Sequence, residues 1–274
     1  MRNASLIMKA LFLTAFIVLS AVPASTAGVR PEKELKSKLG AATPDNPVVY
    51  LGKALDKKSG QVVDGYAIVH FAKNSNAKVK PAPTSKCYGF IADGAKWKTV
   101  ESWVVDSVNT GGLDPYFVYS NLSYNISKWE DAADGKIGNS QGVNILGEGQ
   151  FADYEINPDG TLNDLNEVTF APLDDDSIIA VNTVWGNFNS PAKFRQIVEW
   201  DQVYNTYFSW SASGSPASMD FENISTHELG HAVGMGDLYT SSCSQETMYG
   251  YADLGQTDKR DLYIGDITGV SALY

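Results

Sequence analysis

Two of the three histidines in this 274-residue chain lie four residues apart, in the stretch THELGHAVGMGD at residues 226–237. Residues i and i+4 of a helix share one face, with Cβ atoms about 5–6 Å apart. His227 and His231 can therefore both place a ring nitrogen about 2.0–2.1 Å from one Zn²⁺ ion. Glu228 is turned about 100° away around the helix, where its carboxylate can exchange a proton with water at the metal. The spacing predicts a zinc ion that activates water, with Glu228 as general base and then general acid.

A third protein ligand is needed, because a catalytic zinc ion takes about three of them and keeps one position open. Gly234 and Gly236 follow the second histidine closely, and glycine readily adopts the left-handed conformation that ends a helix. The chain can then turn back and present Asp237 to the metal. The alternative is that the histidines are core or surface residues and that Asp237 simply lies at a helix end. The spacing, the glycines and the aspartate together favour the zinc site.

The element that must position these residues is a helix, predicted over about residues 216–235 with Ser215 or Ser218 as its cap and Pro216 in its first turn. The other predicted elements of this part of the chain are a strand at 97–106, a helix at 114–134 that begins at Asp114, strands at 166–173, 177–187 and 194–205, and a final helix at 265–274. This order predicts an α+β fold in which a mixed β-sheet packs on helices.

The N-terminus predicts export. Arg2 and Lys9 precede an apolar run at residues 10–22, and the small residues 25–27 follow it. The run is shorter than the about 20 residues that a membrane span needs, and the small residues are typical of a cleavage site. Residues 1–27 are therefore predicted to be a secretory signal, with an uncleaved membrane anchor as the alternative. The mature protein is expected to be extracellular.

A change of composition separates an N-terminal region from the rest of the chain. Residues 28–46 are polar and show no convincing apolar period, whereas residues 48–73 contain two strand-like segments around a turn, which predicts a β-hairpin. Residues 73–86 have the Lys, Pro and Ser content of a linker. His70, in the second strand of the hairpin, is assigned a structural role. The predicted regions are a signal peptide at 1–27, a pro-region at 28–86 and a main domain at 87–274.

The charge of the chain excludes some classes of partner. A formal net charge of −11 and a pI near 4.7 argue against nucleic acid and against an anionic membrane surface. A hydrophobic content of 43% and a charged content of 19% are typical of a globular protein. We expect a monomer that contacts no membrane once the signal is removed.

A family resemblance appears in several segments. HELGHAVGMGD resembles the extended zinc motif of the metzincins, His-Glu-x-x-His-x-x-Gly-x-x-His/Asp, and CSQETMYGY, which contains Met248, resembles their Met-turn. DGAKWKTVESWVVD and ENISTHELGH resemble the first strand and the entry to the active-site helix of bacterial and archaeal matrixin-like proteases. The resemblance covers most of residues 87–274. An aspartate at position 237 departs from the usual third histidine and is similar to the snapalysin type.

The resemblance implies a secreted zinc-dependent endopeptidase that is made as a precursor. It implies a zincin-like α+β fold with a twisted mixed sheet, an active-site helix, a Met-turn and a C-terminal helix. Met248 would pack beneath the zinc, Tyr249 and Tyr251 could line the specificity pocket, and residues 177–187 would form the sheet edge along which an extended polypeptide substrate pairs. The alternative is a secreted zinc-containing binding protein with a protease-like fold and no activity. The intact Glu228 argues against that alternative.

The two cysteines, Cys87 and Cys243, allow three hypotheses. An even number of cysteines in an exported chain suggests a disulfide bond between them. The Cys87 thiolate could instead cap zinc in the precursor, although KCYGF lacks the Pro-Asp pattern that follows the cysteine of matrixin pro-segments. The third hypothesis is a free thiol.

Two acidic segments supply hard oxygen ligands that would suit Ca²⁺. They are NPDGTLNDLNE at residues 157–167 and PLDDDS at residues 172–177. Neither matches a fixed calcium-loop pattern, so solvated turns are the favoured interpretation and calcium is a weaker prediction than zinc.

Overall fold

The computed structural model describes residues 31–73, 86–139 and 141–274, with only the backbone for residues 31–34. The predicted signal peptide at 1–27 and residues 74–85 of the predicted linker lie outside these ranges and stay predictions. Within the described ranges, no helix is both long and apolar enough to cross a membrane.

The described residues form four α-helices, ten β-strands and three short 3₁₀ turns. The helices are α1 (Pro31–Leu39), α2 (Pro115–Ala132), α3 (Phe221–Ala232) and α4 (Ile264–Leu273). The strands are β1 (Val48–Leu55), β2 (Val62–Ala72), β3 (Trp103–Val105), β4 (Gly149–Phe151), β5 (Asn166–Ala171), β6 (Ile178–Asn187), β7 (Gln196–Asn205), β8 (Trp210–Ser211), β9 (Met219–Asp220) and β10 (Tyr251–Ala252). The 3₁₀ turns are Ala192–Phe194, Ser241–Cys243 and Asp258–Arg260.

One mixed sheet of eight strands organises the molecule, and it confirms the predicted α+β class. Its order is β1-β2-β6-β7-β5-β3-β4, and β10 pairs with β2 beside this path. Strands β7, β5, β3 and β4 are parallel neighbours, whereas β6 runs antiparallel to both β7 and β2. Of the predicted strand at 97–106, only β3 forms. Residues 97–102 lie outside the sheet, where the Trp97 indole donates to the Ala232 carbonyl at the end of α3 (2.8 Å).

The predicted hairpin is part of the same sheet as the rest of the chain. β1 and β2 pair antiparallel, as expected, but β2 also pairs antiparallel with β6 from Asp64 to Phe71. The expectation that residues 177–187 form an open sheet edge is therefore wrong for the chain with its hairpin in place. β6 has a neighbour on each side and offers no unpaired flank.

Two hydrophobic cores lie on the two faces of this sheet. The larger core lies between the sheet and helices α2, α3 and α4, and it buries Trp103, Trp129 and Trp200. The smaller core lies on the other face, where Leu35 and Leu39 of α1 pack with side chains of β2, β6 and β7. Sequence analysis missed α1, because two apolar residues four positions apart are too few to establish a helical period in a short polar segment.

A disulfide bond joins Cys87 to Cys243, with their Cα atoms 5.2 Å apart. This confirms the first of the three cysteine hypotheses, and it leaves no thiolate to cap zinc. The bond closes a sequence separation of 156 residues. It ties the beginning of the predicted main domain to the segment that precedes Met248.

Removing this disulfide is expected to destabilise the fold strongly. Replacing both Cys87 and Cys243 with alanine should lower the free energy of unfolding by about 2–5 kcal/mol, since the unfolded chain regains the conformational freedom of a long closed loop. Urea unfolding of the variant and of the oxidised parent measures the difference. A loss below about 1 kcal/mol would show that the bond does not contribute in this way.

Candidate metal centre

Helix α3 carries the candidate site and begins at an aspartate. Asp220 is its N-cap, and its carboxylate accepts a hydrogen bond from the Asn223 amide (3.0 Å). The predicted start at Ser215 or Ser218 is wrong, because the chain first forms β9, which pairs in parallel with β8. Arg260 donates from Nε to the same Asp220 carboxylate (2.8 Å) and holds the cap in place.

The two histidines of α3 are buried and aligned by backbone carbonyls. His227 donates from Nδ1 to the Thr247 carbonyl (2.7 Å), and His231 donates from Nδ1 to the Met235 carbonyl (3.0 Å). Such bonds select the tautomer whose Nε2 lone pair is free for a metal ion. Both Nε2 atoms are buried and have no hydrogen-bond partner among the described residues.

Two glycines allow the chain to turn directly after the helix. Gly234 has φ +103°, and a Cβ there would lie 2.8 Å from the Ala95 carbonyl oxygen. A Cβ at Gly236 would lie 2.9 Å from the backbone of Phe90. Gly234 adopts a left-handed conformation that other residues rarely take, and Gly236 lets the chain pass close to the backbone of Phe90. The turn predicted from sequence is present, and it brings Asp237 back to the histidines.

The three candidate ligand atoms converge. Asp237 Oδ1 lies 3.2 Å from His227 Nε2 and 3.4 Å from His231 Nε2. Ligand atoms at about 2.0–2.2 Å from a tetrahedral zinc ion are separated by about 3.3–3.5 Å. Oδ1, like the two nitrogens, is buried and lacks a hydrogen-bond partner within the described ranges. Two imidazoles and one carboxylate, each with a buried ligand atom that has no hydrogen-bond partner among the described residues, fit a zinc ion.

The charge on Asp237 follows from its neighbours. Burial alone would raise its pKa, but His231 and His227 outweigh burial and hold the pKa of this carboxyl well below its usual range. Burial lowers the pKa of His227 to about 4. The site therefore offers one anionic ligand and at least one neutral imidazole, which are the protonation states that metal binding needs.

Tyr239 orients the aspartate, and sequence analysis missed it. Its hydroxyl donates to Asp237 Oδ2 (3.0 Å), which turns Oδ1 toward the histidines. A side chain at Gly250 would collide with the Tyr239 ring, so the glycine leaves the space that this ring fills. A Tyr two residues after an acidic ligand is a weak signal in a chain with 14 tyrosines, which explains why the sequence alone did not reveal it.

Removing the Tyr239 hydroxyl is expected to weaken metal binding. Tyr239→Phe should lower zinc affinity by about 10–100-fold, the usual effect of losing a group that orients a metal ligand. Competition with a fluorescent chelator measures the affinity. Tyr251→Phe is the matched control, because the Tyr251 hydroxyl is buried nearby with no partner in the described part of the chain. Equal affinities for the two variants would contradict the orienting role.

Glu228 lies beside the three ligands without joining them. It is fully buried, and its backbone carbonyl accepts a hydrogen bond from Asn182 Nδ2 of β6 (2.7 Å). Burial raises the pKa of its carboxyl to about 8. Its Oε2 atom has no hydrogen-bond partner among the described residues, so one oxygen remains available for proton exchange.

His70, to which the sequence analysis assigned a structural role, lies beside the candidate site. It is on β2, with Nδ1 2.9 Å from Glu228 Oε1. Its ring centroid is 4.1 Å from that of His227. Burial lowers the pKa of His70 well below its ordinary value, so a neutral imidazole shares this hydrogen bond with the carboxyl. The signal that could have found it is its rarity, since the chain has three histidines.

Met248 lies where the Met-turn hypothesis expects it. It is completely buried, and a Cβ at Gly230 on α3 would collide with its sulfur. Its amide donates to Asp266 Oδ1 (3.2 Å), and its carbonyl accepts from Leu238 (2.8 Å). The methionine therefore supports the underside of the active helix and is not a metal ligand.

A cleft of about 470 Å³ borders Asp237. The two tyrosines predicted to shape specificity, Tyr249 and Tyr251, do not line it, although Tyr251 packs against Tyr239 at a ring distance of 5.3 Å. Their specificity role stays a prediction. The apolar side chains that line the cleft include Val48, Tyr66, Ile68, Phe90, Ile91 and Phe188.

The acidic segments give calcium no support. Asp159 accepts from Thr161, and Asp175 accepts from Ser177, so each carboxylate bonds within its own turn. Across the described ranges, compact groups of three ligand side chains occur only around the active helix. The favoured interpretation of solvated turns agrees with these contacts.

Comparison with known proteins assigns a family to residues 150–274. No curated protein sequence matches it. Residues 150–274 match the matrixin family model, a segment that runs from β4 through α3 to the end of α4. The match does not bear on Asp237 as the third ligand. Together with the mixed sheet and the helix that carries both histidines, it identifies residues 150–274 as part of a matrixin-like metzincin domain, the type found in zinc-dependent metallopeptidases.

Proposed function

We propose that this protein is the secreted precursor of a zinc-dependent endopeptidase, with zinc held by His227, His231 and Asp237 and with Glu228 as the catalytic base and acid. One observation carries the proposal. Three buried ligand atoms without hydrogen-bond partners in the described structure converge beside the free oxygen of a buried glutamate.

Zinc bound at these ligands would polarise the scissile carbonyl. It would also lower the pKa of a water molecule, so that the water loses a proton more easily as it attacks that carbonyl. Glu228 Oε2 would accept the proton of that water and deliver it to the leaving amine nitrogen. The burial of the carboxyl supports the acid half of this role, since it raises the pKa of Glu228 to about 8 and lets the carboxyl carry a proton near neutral pH.

The backbone around the base supports a fixed proton path. Asn182 holds the Glu228 carbonyl (2.7 Å), and Thr226 bonds back to the Glu222 carbonyl one turn earlier (2.7 Å). Both contacts restrict the segment that carries the carboxyl. A backbone held in this way keeps the base in one position relative to the site, which favours proton transfer.

The proposed substrate is an extended polypeptide. It would pair through its backbone with the flank of β6 that β2 covers in the described structure, once the hairpin has left that flank. The net charge of −11 argues against nucleic acid as partner. A monomer suffices for this reaction, because all proposed zinc ligands and the base come from one chain.

Secretion is supported by two features of the chain. Basic residues precede the short apolar run at residues 10–22, as in a signal peptide. The disulfide bond between Cys87 and Cys243 is typical of proteins that fold in an oxidising compartment.

The test combines metal content with hydrolysis. The purified chain, before and after proteolytic cutting within residues 74–85, should contain one zinc per molecule, and the cut form should degrade denatured casein. A chelator should abolish this activity and zinc should restore it. A chain that holds zinc and leaves casein intact in both forms would contradict the endopeptidase and favour a zinc-containing binding protein.

A further inference from the structure

The end of strand β2 lies in a groove between β6 and β10, two strands of the predicted main domain. On one side it pairs antiparallel with β6, from Asp64 opposite Gly186 to Phe71 opposite Ile178. On the other side it pairs with β1 of its own hairpin as far as Ile68, and only its end pairs in parallel with β10, the strand that follows Met248. The Lys73 amide continues this last pairing to the Ala252 carbonyl (2.9 Å). The end of β2 therefore lies between β6 and β10.

The side chains of β2 divide between the two faces of the sheet. Ala67, Val69 and Phe71 enter the smaller core under α1. The alternate residues point to the other face, where Ile68 joins the larger core and His70 reaches the active helix. This alternation is the ordinary pleat of a strand. Among residues 67–71 of β2, the odd-numbered side chains face α1, and the even-numbered ones face the side of the sheet that carries the candidate metal centre.

His70 occupies the space next to the catalytic carboxyl. Its Nδ1 lies 2.9 Å from Glu228 Oε1, and its ring lies against that of His227 with centroids 4.1 Å apart. Both His70 and Glu228 are almost wholly inaccessible to solvent. A scissile peptide and its attacking water need this same space, so they and the imidazole exclude each other.

We propose that β2 is a built-in inhibitory strand that occupies the groove of an extended substrate between β6 and β10, with His70 blocking Glu228. This proposal rests on the proposed endopeptidase function. It adds an explanation of how the active site is kept inaccessible to substrate. A competing peptide must displace a strand of the same chain, whose effective concentration is in the millimolar range for a short tether. Activity then requires a cut after the strand, followed by departure of the hairpin.

The connection that must be cut is defined by the topology. β2 ends at Ala72, and the catalytic region resumes at Cys87, which is tied to Cys243. A cut between these points leaves the hairpin held by non-covalent contacts alone. The hairpin then binds β6 and β10 as a separate polypeptide, so dilution favours its dissociation.

The first experiment uses the full chain with a site-specific protease sequence in place of residues 77–83. A non-cleavable peptide hydroxamate is the probe, and its binding is followed by calorimetry. The uncut chain should bind the hydroxamate at least 100-fold more weakly than the chain that has been cut and freed of its hairpin by gel filtration. Zinc content is measured on both forms and should be equal.

The second experiment joins β2 to β6 covalently through an engineered disulfide bond, called the lock. Val69 of β2 and Val181 of β6 are directly opposite each other, so the double variant Val69→Cys, Val181→Cys can form a cross-strand disulfide. After the linker cut, the oxidised variant should still fail to bind the hydroxamate, and reduction should restore binding. The cut chain without the two new cysteines, treated with the same reductant, controls for reduction of Cys87–Cys243.

The outcomes separate the two proposals. Tight hydroxamate binding by the uncut chain, or by the oxidised lock, would overturn the inhibitory strand. A hairpin that stays bound after the cut and dilution would also overturn it, as β2 would then be a permanent strand of the enzyme. A released chain that binds zinc and hydroxamate but hydrolyses nothing would refute the endopeptidase function and leave the strand's blocking role standing.

Discussion

Replacing Glu228 with glutamine is expected to lower the rate of peptide hydrolysis by about 10²–10⁴-fold, the range contributed by a positioned general base and acid. The amide has nearly the shape of the carboxyl, so the position of the side chain on α3 can persist. An amide cannot take up the proton of an attacking water. The loss should therefore appear in kcat, with zinc content unchanged.

The control for this substitution is on the same helix. Glu222 lies in the first turn of α3, where it pairs with Lys128 (2.8 Å) and is partly exposed. Glu222→Gln should change kcat by less than about threefold, since removing an exposed ion pair costs little. Both rates are measured on the cut, hairpin-free form. Similar rates for Glu228→Gln and the parent would remove Glu228 from the mechanism.

Replacing Asp237 with alanine is expected to weaken zinc binding by more than about 100-fold, beyond the range for groups that only orient a ligand. The substitution removes the anionic ligand and leaves His227 Nε2 and His231 Nε2 as a pair. It also removes the acceptor of the Tyr239 hydroxyl (3.0 Å). Chelator competition on the purified chain gives the zinc affinity, and mass spectrometry gives the metal content.

Asp237→His tests whether the loss is due to the missing ligand or to a damaged fold. Histidine is also a zinc ligand, and the glycine turn that carries position 237 is unchanged. This variant should keep one zinc ion, whereas Asp237→Ala loses it. If Asp237→Ala retains zinc with parental affinity, the third ligand must come from another residue, such as His70, which has a ligand atom within 4.8 Å of one of His227.

Local features of the site could be derived from residue spacing. A helix places His227 and His231 on one face whatever surrounds it, and two glycines permit the sharp turn that returns Asp237. The hairpin and α2 were predicted for the same reason, because alternation and helical periodicity report contacts within a few residues. The start of α3 was missed, because Met219 and Asp220 pair with β8 before the helix begins.

Contacts between distant segments needed the tertiary structure. The sequence by itself determined the spacing of the candidate zinc ligands, the kind of metal that they suit and a pair of cysteines able to bond, since each depends on residue type and short-range geometry. Only the folded chain decided that β2 lies against β6, that His70 meets Glu228 across 158 residues of sequence, and that Tyr239 holds Asp237. Strand order and register depend on which apolar faces are buried together, and no local pattern in one strand specifies its neighbour.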